Sequence, residues 1–303
     1  MVKSSCILIF CLSITSYSQI QLGEALYGEA AEDEFGVSIS LSDNGSIMAV
    51  SAIYNDGNGT DSGQVRIFQN TGGIWNQIGQ DIYGEHAGDA SGMSVSLNGD
   101  GSIVAIGARW NDGNGNDSGH VRVYQNNNNT WAQIGQDIDG ESENDHSGIS
   151  VSLSADGSML AIGAWLNGGN GFHAGHVRVF GNNAGIWSQI GDDIDGQTTR
   201  DICGRTVVLN AAGNILAIGS SGSTANTDGN GEVRVFQNIG SSWTQIGQKI
   251  VGDATIDDFG YAIKLSSDGN IIAIGAQAND GNGTASGQVK IFRNSSGTWT
   301  QIG

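Results

Sequence analysis

Apolar and polar residues alternate in short runs along the chain. Met93-Ser94-Val95-Ser96-Leu97 places an apolar side chain at every second position, the period-two pattern of a half-buried strand. Asn98-Gly99-Asp100-Gly101 follows. Asp-Gly between apolar runs favours a tight hairpin, because glycine accepts positive φ. Ile103 to Ala108 then reads as a second strand, with small residues suited to a crowded centre. A glycine-rich loop from Asn111 to Gly119 leads into the alternating His120-Val121-Arg122-Val123-Tyr124. Asn126 to Asn129 form a polar turn, and a fourth strand is expected from Trp131. The pattern shows no helical period.

This unit recurs. Gln-Ile-Gly starts at Gln77, Gln133, Gln189, Gln245 and Gln301, a spacing of 56 residues, with Gln21-Leu22-Gly23 one period earlier. Tryptophans keep the same beat at Trp75, Trp131, Trp187, Trp243 and Trp299. The copies are 21–76, 77–132, 133–188, 189–244 and 245–300, and 301–303 begin another. A unit of this size cannot bury its apolar face alone and must stack on its neighbours. Four antiparallel strands per unit predict an all-β fold, a β-propeller with five visible four-stranded blades. A parallel β-helix has shorter coils and no need of alternating hairpins. Residues 19–23 and 299–303 carry the same strand, so one copy is redundant for a five-blade ring. The expectation is a truncated larger propeller. The tryptophans are expected at blade junctions. The strand cations Arg66, Arg122, Arg178, Arg234 and Lys290 are expected to point outward or to pair with a neighbouring acid.

Composition narrows the partners. Glycine contributes 49 residues, in fixed places in each copy, and proline none. The formal net charge is −19 with 14% charged residues. An acidic surface argues against nucleic acid and anionic membrane, which need a basic face. Residues 1–18 read as a secretory signal: Lys3, an apolar core from Cys6 to Ile14, then Ser16-Tyr17-Ser18 before a cut at Gln19. That core is too short to span a bilayer, so no membrane insertion is expected, and the mature array of residues 19–303 is expected outside the cell or at its surface. Removal of Cys6 and Cys11 leaves Cys203 alone, a small apolar filler rather than a reactive thiol.

The motifs then suggest a family. Phe35-Gly36 precedes Ala52, and Phe259-Gly260 precedes Gly275-Ala276. The full pattern is Phe-Gly-x-Ser-x-Ser-Leu, Ile-x-Ala-x-Gly-Ala, then Ser-Gly-x-Val-Arg-Val-Phe. It resembles the FG-GAP repeats of integrin α-subunit propellers and of secreted bacterial proteins. The resemblance implies a non-catalytic extracellular propeller for adhesion or ligand binding, often with calcium. Ser91, Ser147 and Cys203 replace the phenylalanine in copies two to four, and the proline of Gly-Ala-Pro is missing throughout. The calcium loop such blades carry before the Gly-Ala strand is reduced to a tight turn, as at Ser154-Ala155-Asp156-Gly157.

A different loop offers calcium ligands. Asp56, Asn58 and Asp61 recur as Asp112, Asn114 and Asp117, and in part as Asp280 and Asn282. Alternating Asp and Asn around glycine can converge oxygens on calcium, but the same residues also make plain turns. Gly168 and Thr224 break the pattern in copies three and four. Asp33, Asp89, Asp145, Asp201 and Asp257 never fail. A turn or cap accounts for that recurrence, and a cation-holding ring is the other reading. Ligand contacts are expected where the loops diverge: Trp110, Trp165, Phe172 and His173. No Gly-x-Ser-x-Gly elbow and no metal-type histidine pair on a predicted helix appears, so no enzyme is expected. The predicted function is recognition of an extracellular protein or glycan through face loops. A structural spacer or display array with no specific ligand is the other class. Oligomeric state is not legible.

Overall fold

The computed structural model describes residues 21–221 and 230–303. The expected leader and Thr224 lie outside them. Every element among the described residues is a strand. In the first sheet β1 (Phe35–Leu41), β2 (Ile47–Ala52), β3 (Gln64–Thr71) and β4 (Ile74–Gln77) follow in spatial order. All pairs are antiparallel, with Val50 opposite Arg66 and Asn70 opposite Trp75. The fourth strand is broken: a short β5 (Ile82–Tyr83) returns to β3, with Ile82 opposite Val65. The pattern recurs in the next three sheets, and the fifth has four strands.

The break falls at Gln-Ile-Gly, and Gly79 shows why. Its φ is +76°, and a Cβ there would lie 2.6 Å from Cδ1 of Trp131 in the next sheet. Trp131 is buried and donates from Nε1 to the Ile78 carbonyl at 2.9 Å. The same bond joins Trp187 to Ile134, Trp243 to Ile190 and Trp299 to Ile246. Each tryptophan therefore clamps its blade to the preceding one, and the glycine makes room for the indole. This is the junction role expected from the sequence.

The Phe-Gly and Gly-Ala signatures meet across the same junctions. A Cβ on Gly163 would stand 2.0 Å from the Gly204 carbonyl oxygen, and one on Gly107 would stand 2.1 Å from that of Gly148. Adjacent blades approach backbone to backbone at their inner ends, where a side chain does not fit. Gly36, Gly148, Gly204 and Gly260 also carry φ between +84° and +103° where the first strand bulges.

The alternating serines have a destination that the pattern alone does not reveal. Ser38 and Ser40 hydroxyls accept the backbone N–H groups of Val95 and Leu97 in the next blade, at 3.1 and 2.9 Å. Ser96 serves Leu153 and Ser152 serves Leu209 in the same way. An inner edge strand would otherwise leave these donors unpaired. The strand cations pair with neighbouring acids, the second of the two roles expected for them. Arg66, Arg122, Arg178 and Arg234 are buried rather than outward-pointing. They reach a carbonyl of the preceding blade's tail, as Arg178 reaches that of Asp139, and the first three pair with Glu29, Glu85 and Glu141.

Four apolar cores fill the four junctions. The one between the second and third sheets gathers Val121, Val123, Leu160, Ile162, Phe180 and Trp187. Inner strands of all five sheets line one central cavity of about 380 Å³, at Ser40, Ser96, Ser152, Val208 and Lys264. Antiparallel four-stranded sheets stacked about one axis make a β-propeller. The outer faces of the first and last sheets do not cover each other. Ile39 is 57% and Val289 70% exposed, while the equivalent Val95 and Val233 are buried.

Candidate functional site

One end of the axis carries the loops after the Gly-Ala strands. Among the described residues, four of these loops are fastened by the recurrent aspartate. Asp33 Oδ2 accepts the N–H groups of Glu29 and Ala30 and the side-chain amide of Asn55. Asp89 holds Asn111, Asp145 holds Asn167 and Asp257 holds Asn279 in the same way. These aspartates are buried, and each spends one carboxylate oxygen on turn donors. That is cap geometry.

The loop residues singled out for calcium are engaged in turns. Asp56 Oδ1 accepts Asp61 N–H at 2.9 Å, Asp112 Oδ1 accepts Asp117 N–H at 2.8 Å, and Asp280 Oδ1 accepts Ala285 N–H at 2.7 Å. Asn58 and Asn114 donate to carbonyls of the following tail, at Gly84 and Gly140. Asn282 donates its backbone N–H to Ser286 Oγ at 3.2 Å. Asp61 and Asp117 take positive φ, of 55° and 52°, which aspartate tolerates better than most residues.

The first residues past the Gly-Ala strands build the face. Tyr54 and Trp110, from adjacent blades, stack at 6.5 Å between centroids with planes 27° apart. The Arg109 guanidinium lies 4.4 Å above the Trp110 ring. The Arg205 guanidinium lies 4.6 Å from the Trp165 ring and 5.0 Å from that of Tyr261. Trp165 donates from Nε1 to His146 Nδ1 at 3.3 Å. Burial, with Arg109 nearby, lowers the His146 pKa and keeps the imidazole neutral. Burial and the neighbouring Arg205 also lower the Arg109 pKa. Neither Arg109 nor Arg205 has a carboxylate partner among the described residues. Arg205 donates to the Tyr261 hydroxyl at 3.3 Å, and the result is a band of half-exposed aromatic rings and guanidinium groups without carboxylate partners across several blades.

Trp110 and Trp165 therefore belong to one surface. Phe172 and His173 stack on each other at 3.7 Å beside a cleft of about 500 Å³. Leu166, Glu141 and Asp145 share that cleft, and Arg200 lies 5.7 Å from the Phe172 ring. Sequence reasoning missed Tyr54, Arg109, His146, Arg205 and Tyr261. A signal existed: positions 53, 109, 165, 221 and 277 read Ile, Arg, Trp, Ser and Gln, and positions 37, 93, 149, 205 and 261 read Val, Met, Ile, Arg and Tyr. An otherwise strict repeat diverges where the face is built.

The fold and this surface define a β-propeller with a diversified loop face. The FG-GAP repeat family matches residues 28–68 and 84–124, so the first two copies are FG-GAP repeats. No curated protein matches the chain by sequence. Among solved structures, a Bacteroides uniformis protein assigned as a 6-phosphogluconolactonase is similar at a TM-score of 0.60 and 16% identity, over 88% of this chain and 70% of its own. The periplasmic gluconolactonase of Pseudomonas aeruginosa gives a TM-score of 0.57 and 17% identity, over the same 88% and 70%. At such identity the likeness is one of fold.

Proposed function

We propose that the chain is a non-catalytic binding propeller, exported to the cell surface or beyond, whose loop face recognises a glycan. The observation that carries this reading is the pairing of Arg109 with Trp110 and of Arg205 with Trp165 on one face. Half-exposed rings present apolar surface to the C–H groups of a sugar. Guanidinium groups beside them, with no carboxylate partner among the described residues, offer forked donors to carboxylates. On a chain of net charge −19 such a cluster supplies local positive charge. The preferred ligand is therefore an acidic polysaccharide such as a polyuronate. FG-GAP repeats of adhesive propellers support a binding role by resemblance, while the lactonase-like neighbours share only the fold.

The test is calorimetric titration with uronate and neutral oligosaccharides of equal length. Uronate binding is expected to weaken at least tenfold in Trp110→Ala/Trp165→Ala and in Arg109→Gln/Arg205→Gln, corresponding to about 1.4 kcal/mol. Binding that is absent, or indifferent to both variants, rejects the assignment. Turnover of a sugar lactone by the purified chain would replace it with an enzymatic one.

A further inference from the structure

At each junction the side chain that opens the third strand faces a tail segment, of the preceding blade or of its own. In the first copy this is Gln64, whose amide donates to Glu29 Oε2 at 3.0 Å. In the fourth it is Glu232, which meets Lys249 Nζ at 2.7 Å. Direct contact closes the gap in both. The second and third copies carry His120 and His176 instead, and there the gap stays open.

His176 is 1% exposed. Its Nε2 has no hydrogen-bond partner, and its Nδ1 faces Asp193 Oδ2 at 3.7 Å and Glu141 Oε2 at 3.8 Å. Both distances exceed a hydrogen bond, so Nδ1 faces the two carboxylates with room between them. One nitrogen and two carboxylate oxygens, from separate segments, lie within 4.8 Å of one another. Bonds of about 2.0–2.2 Å to a common centre need only a small contraction of this triangle. His120, Glu85 and Asp137 repeat it, with His120 Nδ1 3.9 Å from Glu85 Oε2.

The carboxylates are already aimed. Asp193 Oδ1 accepts the Gln189 amide at 2.7 Å and Glu141 Oε1 lies 3.6 Å from Arg178, so the facing oxygens remain for a ligand. Gln133 and Arg122 do the same for Asp137 and Glu85. Such outer partners are what orient metal ligands. In the fourth copy Lys249 takes the place of Asp193, so the chain supplies its own cation where the histidine is lost.

We propose that Glu141, His176 and Asp193, and one repeat earlier Glu85, His120 and Asp137, each bind a divalent transition-metal ion such as Zn²⁺. Three donors including an imidazole suit zinc and leave a fourth position open to solvent. Calcium needs more oxygens than the site holds. The ion would tie the tail of one blade to the third strand of the next. The proposal rests on the fold and is independent of the glycan reading.

Equilibrium dialysis of the full chain against Zn²⁺ alone, followed by metal analysis, tests it. The expected result is two zinc ions per chain, one in Asp193→Asn and none in Asp137→Asn/Asp193→Asn. Both aspartates are partly exposed, so these variants are expected to keep the wild-type circular dichroism. His176→Gln is expected to match Asp193→Asn. No retained zinc in the wild type, or stoichiometry unchanged in the double aspartate variant, overturns the proposal.

Discussion

Trp187→Ala is the most direct test of the junction logic. Trp187 is 3% exposed and packs against Leu153, Leu160, Ile162 and Phe180. Its Nε1 donates to the Ile134 carbonyl at 3.1 Å, and its own carbonyl accepts the Gln136 amide at 2.8 Å. Truncating a buried Trp to Ala costs about 3–5 kcal/mol through lost transfer energy and the cavity left behind. Trp187→Phe keeps most of the apolar body and loses the indole donor, at about 1–2 kcal/mol. Trp75 holds the same place in the first blade but is half-exposed, bonded to Leu22 of the N-terminal tail. Trp75→Ala is therefore expected to cost less than half as much, in line with its smaller buried area. Urea unfolding followed by far-UV circular dichroism measures all three. Equal losses for Trp75→Ala and Trp187→Ala would refute the idea that blade stacking makes this position matter.

Other perturbations probe separate parts of the argument. Gly163→Ala would drive a methyl into the Gly204 carbonyl, so a midpoint fall of several degrees is expected in a thermal melt, and an unchanged midpoint counts against backbone contact at the inner ends. Asp145→Ala strips the acceptor from Ser142 N–H and the Asn167 amide, and should cost about 1–3 kcal/mol by denaturant titration. Burial pushes the Cys203 thiol up to about 11. Below that pH the thiol stays protonated, so thiol reagents at pH 8 should modify it only after denaturation, as read by mass spectrometry. If the Asp56 and Asp112 loops are turns alone, added calcium leaves the melting midpoint where it was. An upward shift lost in Asp56→Asn/Asp112→Asn would make them cation sites.

Much of the propeller was legible because its causes are local. Period-two alternation in 93–97 and glycine turns such as Asn98-Gly101 specify strands and hairpins wherever they occur. The spacing of Gln-Ile-Gly and tryptophan declares a stacked unit, because a single sheet cannot bury both faces. The recurrent aspartate was likewise readable as a cap, since its partners at Glu29 and Ala30 lie within four residues.

The tertiary structure decided what depends on neighbouring copies. Ser152 looks like a solvent-facing strand position, yet it accepts a bond from Leu209, 57 residues away. Arg178 looks like an exposed cation, yet it is buried against the preceding tail. The divergent Trp110 and Trp165 marked a face, but only blade stacking sets Arg205 over the Trp165 ring and Tyr54 beside Trp110. The opening around His176 arises from three segments that alternation does not relate. Local pattern fixes what each strand is. The angle and distance between blades come from side chains meeting across a junction, and the chemistry of both the face and the histidine sites arises there.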